Sequence, residues 1–175
     1  MKNKIVKVVM IFLVFAVLTS TAHSVEVAIG LGMPFYRDGI GIMTDFVVRD
    51  GMYEFFKVDL PIYLGGGLSF HYARGSDNDY YVDMIDFGFL LSGEYLLIFD
   101  KINLGFGLDL YFSYSSAFNN LSSLGSLGAN FRPNLTSTYS FSRSLKLGAK
   151  FGYNVGIYTS YRGYIFFELL TLLKI

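Results

Sequence analysis

From Val25 onward the apolar side chains of this chain fall on every second position, in segment after segment. Successive side chains of a strand point to opposite faces, so such a pattern builds sheets with one apolar face and cannot stripe a helix. In the first segment Val25, Val27, Ile29, Leu31, Met33 and Phe35 share a face, and Glu26, Ala28, Gly30, Gly32 and Tyr36 share the other. The second sets Ile40, Ile42, Phe46 and Val48 against Gly41, Met43, Asp45 and Val47. A third, with its limits open between Met52 and Tyr72, sets Leu60, Ile62, Leu64, Leu68 and Phe70 against Asp59, Tyr63, Ser69 and His71. Five more follow, ending with Tyr164 to Ile175, where Ile165, Phe167, Leu169, Leu173 and Ile175 oppose Glu168.

The connections read as turns at Arg37 to Gly39, Arg49 to Gly51, Phe99 to Lys101 and Ser142 to Ser144, with Asp-Gly supplying a positive φ. Ala73 to Val82 and Ser115 to Gly125 read as long polar loops, and Gly65 to Gly67 as a bulge or bend.

Composition narrows what this pattern can become. Hydrophobic residues make up 53% of the 175 and charged residues only 16%, against roughly 25% charged in ordinary soluble domains. Yet no apolar run after residue 24 approaches the ~20 residues of a membrane helix. Lys2, Lys4 and Lys7 before the apolar Val8 to Leu18, with Ala22-His23-Ser24 after it, form a signal peptide over residues 1–24, cleaved to leave one domain, 25–175. Once those lysines are gone, acidic residues outnumber basic ones by three. The absence of Cys excludes disulfides and thiolate sites, and the balanced charge speaks against nucleic acid. Nothing in the sequence calls for a cofactor or a metal.

A soluble sandwich buries its apolar faces between two sheets, whereas a membrane barrel shows them to lipid and turns the polar, Gly-rich face inward. Segments of about 10 residues suit a tilted membrane crossing. Short connections alternate with long ones, as in outer-membrane barrels. Aromatics gather near strand ends, Tyr36, Tyr72, Tyr80, Tyr81, Tyr114, Tyr158, Tyr161 and Tyr164 at one rim and Phe46, Phe55, Phe56, Tyr95, Tyr139 and Phe141 at the other, which reads as two interfacial girdles. The expected fold is all-β: a transmembrane, antiparallel, up-and-down barrel of eight strands.

This architecture resembles the small eight-stranded outer-membrane barrels of the OmpA/OmpX/OmpW-like superfamily. The resemblance covers the chain from Val25 and rests on no motif. It implies a bacterial outer-membrane location, membrane lipids as surroundings, and a C-terminal strand read by the barrel-assembly machinery. Members of that group commonly end in an aromatic residue; this chain keeps the alternation through Ile165, Phe167, Leu169, Thr171, Leu173 and Ile175 but ends in Ile.

The interior of such a barrel is filled by side chains. The inward charges are Glu26, Asp45, Asp59, Asp86, Glu94, Asp109 and Glu168 against Arg132, Lys146 and Lys150. The bases lie on the sixth and seventh segments and can meet the acids across the lumen, since an isolated buried charge is costly. That points to a non-enzymatic barrel plugged by charge pairs and water, with a structural or surface-interaction role and an unidentified extracellular ligand. A narrow pore for ions or small molecules is the competing reading. Some small outer-membrane barrels, the lipid A palmitoyltransferase and deacylase families, are enzymes, and here Ser69 and His71 share a face with Asp59. The order is the reverse of a His-x-Ser motif, and Asp59 lies ten residues before Ser69, roughly 33 Å at ~3.3 Å per residue, too far to orient His71. Asp77-Asn78-Asp79 with Asp83 lacks the Gly and Glu spacing of a calcium loop and reads as a solvated acidic loop.

Overall fold

The structure, a computed structural model, describes residues 25–36, 39–51, 60–77, 80–118, 123–156 and 163–175. The signal segment, Phe55, Phe56, Asp59, Asn78, Asp79, Tyr158 and Tyr161 lie outside them. Eight strands follow in order: β1 Glu26–Tyr36, β2 Gly39–Gly51, β3 Ile62–Asp77, β4 Tyr80–Phe99, β5 Ile102–Phe118, β6 Ser123–Ser140, β7 Leu145–Gly156 and β8 Tyr164–Lys174. Each pairs antiparallel with its sequence neighbour, and β1 closes on β8 from Glu26↔Lys174 to Phe35↔Ile165. Closure leaves no edge, the condition a sheet must meet in hydrocarbon.

The alternation becomes two surfaces. Outside stand Ile29, Leu31, Ile42, Phe106, Phe112, Leu135, Phe151 and Leu169, all exposed. A protein in water would not leave such a belt bare, whereas lipid covers it without cost. Inside stand the acids, bases and glycines, together with apolar side chains of the same parity: Met43, Val47, Leu90, Leu96, Phe166, Leu170 and Leu172 are all buried. Tyr36 and Tyr164 also turn into the lumen, where their rings lie 4.7 Å apart, so neither belongs to an interfacial girdle.

Three expectations about connections are corrected. Ala73 to Val82 and Ser115 to Gly125 are largely strand, paired as far as Asp77↔Tyr80 and Phe118↔Ser123. Arg49 to Gly51 is not a turn, since β2 pairs with β3 through Gly51↔Tyr63. Nor does Gly65 to Gly67 bulge, because both of its ladders run without a break. A side chain at Gly65 would strike Arg49 and Val47, so the glycine there makes room for inward neighbours and does not bend the strand.

At the terminal rim, where β1 begins and β8 ends, Asp100 and Lys101 turn the chain, and Asp100 takes φ 50°, a conformation that Asp tolerates better than most residues. Ser142 Oγ accepts from the amides of Ser144 (3.3 Å) and Leu145 (3.1 Å) to build the turn into β7.

Candidate functional site in the barrel lumen

The inward polar side chains form three layers. Nearest the terminal rim, Arg49 of β2 bridges Glu26 of β1 (3.1 Å) and Glu94 of β4. Lys146 of β7 also binds Glu26, and Thr136 of β6 donates to Glu94. Two acids meet two bases here, so the layer is neutral. The arrangement needs Gly105, because a side chain there would overlap the Glu94–Thr136 pair. Sequence reasoning misses Arg49 because the Arg-Asp-Gly string reads as a turn. Its parity with Asp45 and Val47 is the signal that places it inside.

In the middle layer Arg132 is wholly buried and reaches across the barrel to Asp45 Oδ2 at 3.2 Å. Its Nε donates to Asn154 Oδ1 (3.2 Å) and its Nη2 to Ser69 Oγ (3.3 Å), while its plane lies 4.1 Å from the Tyr111 ring centroid. This fork of donors with a flat stacking face is something Lys could not supply. Lys150 sits among Asp109 (3.2 Å), Glu168 (3.4 Å) and Asp45 (4.0 Å). Asn134 Nδ2 donates to Asp109 as well, at 3.1 Å. Asp45, Asp109, Arg132, Lys150 and Glu168 are therefore one cluster, with three acids against two bases. Neither oxygen of Glu168 has a hydrogen-bond partner despite its proximity to Lys150.

In the layer towards the far rim, His71 joins the middle cluster to a group of tyrosines. Its Nε2 lies 2.8 Å from Arg132 Nη2 and 2.9 Å from Ser69 Oγ, and its Nδ1 is 3.0 Å from Tyr164 Oη. A guanidinium carries only donors, so Nε2 accepts, and the network assigns the ring proton to Nδ1, which gives it to Tyr164. Asp86 stands in this layer opposite Ser115, outside both ion-pair clusters.

Ser69 and His71 thus touch, but the wiring differs from that of an acyl-transfer triad. The nearby carboxylate, Asp45, accepts from Ser69 and does not orient the imidazole. Both side chains are buried in the lumen, away from the lipid face. Among the described residues no three His, Asp or Glu side chains converge as metal ligands.

No family model matches the chain, and no characterised protein matches it in sequence. Solved structures do. The N-terminal β-barrel domain of Pseudomonas aeruginosa OprF superposes with a TM-score of 0.57 at 13% identity, covering 87% of this chain and 97% of that one. Neisserial surface protein A gives 0.58 at 11% identity, covering 86% and 94%. A major outer membrane protein from Thermus thermophilus gives 0.57 at 12% identity, covering 87% and 100%. The chain has the outer-membrane β-barrel fold. At such identities the likeness concerns the fold alone.

Proposed function

We propose that the chain is exported to a bacterial outer membrane, loses residues 1–24, and spans the membrane as a non-enzymatic barrel plugged by its own side chains. The observation that carries the reading is the Arg132–Asp45 pair, which runs from β6 to β2 through the centre of the lumen with Lys150 and Asp109 beside it. Any ion path through the middle of the barrel must displace these groups, and breaking a buried pair costs about 3–5 kcal/mol.

The rim with the termini faces the periplasm in this reading, and β8 is the segment offered to the assembly machinery. The far ends of the β3–β4 and β5–β6 hairpins face outward. Because those strands are the longest, 16 to 20 residues against 11 to 13 elsewhere, the wall on that side stands tallest, which suits a surface role.

Planar-bilayer recording tests the plug. The purified barrel is expected to give no steady ion-selective steps. Steps that shift when Lys150 or Asp109 is neutralised would overturn the plugged reading in favour of a pore. For the absence of catalysis, His71→Ala is expected to leave lipid A and phospholipid acylation unchanged in cells carrying the protein. A change that follows the His71 side chain would instead make the Ser69–His71 contact a reactive one.

A further inference from the structure

The middle layer of the plug sets three acids against two bases on side chains that are all buried, so among the described residues one negative charge is left over. Its acids are not equally placed. Asp45 accepts from Arg132 and Ser69, and Asp109 from Lys150 and Asn134. Glu168 is wholly buried, and neither of its oxygens finds a donor.

Every strand packed around Glu168 bears on this. Gly32 is its cross-strand partner on β1, and an added side chain at the neighbouring Gly30 would come within 3.0 Å of Glu168 Oε2, so β1 meets it with bare backbone. Its partner on β7 is Lys150, 3.4 Å away, but the Lys150 hydrogen bond goes to Asp109 of β5. Arg132 of β6 also faces it, with donors committed to Asp45, Ser69 and Asn154. Tyr164, on the same strand, turns its hydroxyl to His71. What meets Glu168 from β2 is another acid: Asp45 lies within side-chain hydrogen-bond reach. Two ionised carboxylates can only accept, so the contact lacks a hydrogen and sets like charges against each other. One proton removes both faults. It supplies the donor, and it brings the five-residue cluster to zero charge, matching the neutral layer at the terminal rim.

We infer that the plug binds one proton, carried by Glu168 and shared with Asp45 as a carboxyl–carboxylate pair. The inference deepens the plugged reading and rests on it. In the unfolded chain Glu168 releases its proton in the ordinary carboxylate range. At neutral pH the folded barrel therefore holds more protons than the unfolded chain, so this part of its stability is full in acid and lost as the pH rises.

The test uses the full barrel folded in detergent. Infrared spectra in heavy water at neutral pH are expected to contain a protonated-carboxyl stretch that Glu168→Gln removes, and the difference between the two proteins isolates it from any other carboxyl group. The urea midpoint of the wild type is expected to fall from mildly acidic to mildly alkaline pH, below the range in which exposed lysine and tyrosine titrate. Glu168→Gln, whose amide donates to Asp45 at every pH, is expected to match the wild type in acid and to fall less. A difference spectrum without the band, or the same fall in both proteins, would overturn the shared proton. Should Glu168→Gln fail to fold, Asp45→Asn serves in its place. It leaves two acids against two bases, so the band is expected to vanish, and a band that persists overturns the inference equally. None of these readouts is a current: a missing band leaves the plug standing, whereas channel steps in planar bilayers would overturn the plug and the inference with it.

Discussion

Arg132 ties together more of the interior than any other described side chain, touching Asp45, Ser69, His71, Asn154 and the Tyr111 ring. Its truncation leaves Asp45 buried without its closest counter-charge. Arg132→Met keeps much of the volume and removes the charge, and is expected to lower stability by about 3–5 kcal/mol. Adding Asp45→Asn removes the stranded acid and should recover part of that loss. Urea unfolding in detergent, followed by tyrosine fluorescence, measures both. Strict additivity of the two changes would mean that the pair is not coupled. The residue scale is also where the sequence is least complete. Parity assigns Asp45 and Arg132 to the same interior, but nothing in a linear pattern says that residues 87 positions apart lie at the same height. That depends on how neighbouring strands are staggered around the whole ring.

At the scale of strands, two prolines interrupt the ladder. The β1–β2 register pauses between Gly32↔Met43 and Phe35↔Ile40, around Pro34. That of β6–β7 pauses between Phe131↔Val155 and Asn134↔Gly152, around Pro133. Pro133 remains paired with Leu108 of β5, so its missing N–H is the one that would face β7. Arg132 and Asn154 hydrogen-bond across this gap, and Asn154 Nδ2 continues to Asn130 Oδ1 at 3.3 Å, so side chains strap the seam that the backbone leaves open. Pro133 faces outward, and Pro133→Ala should restore the donor without disturbing the lumen. The expected result is slower amide exchange from Tyr153 to Val155; unchanged exchange would mean that the seam is held by the side chains alone. Strand identity itself is legible wherever the two faces meet different surroundings. Beyond the membrane both faces meet water, the alternation fades, and the ends of β3 to β6 read as loops although their backbones continue to pair. Gly65 misleads for a related reason: a glycine that clears space for an inward arginine reads in sequence like one that bends a strand.

For the molecule as a whole, an apolar, charge-poor composition without a membrane helix is explained by a wall whose greasy side is outermost. The barrel extracted in detergent is expected to migrate differently on gels before and after boiling, because a closed sheet resists unfolding by detergent until it is heated. Recovery of the protein as a soluble periplasmic species would contradict the membrane reading.

In a ring of eight, β6 and β2 stand diametrically opposite, so the contact between Arg132 and Asp45 joins opposite walls and not adjacent strands. The closed ring, complete once the first and last strands have met, is what holds the two side chains within reach of each other. The interior therefore acts as a latch on assembly, and unfolding and refolding curves should separate into a hysteresis loop that narrows when the latch is removed.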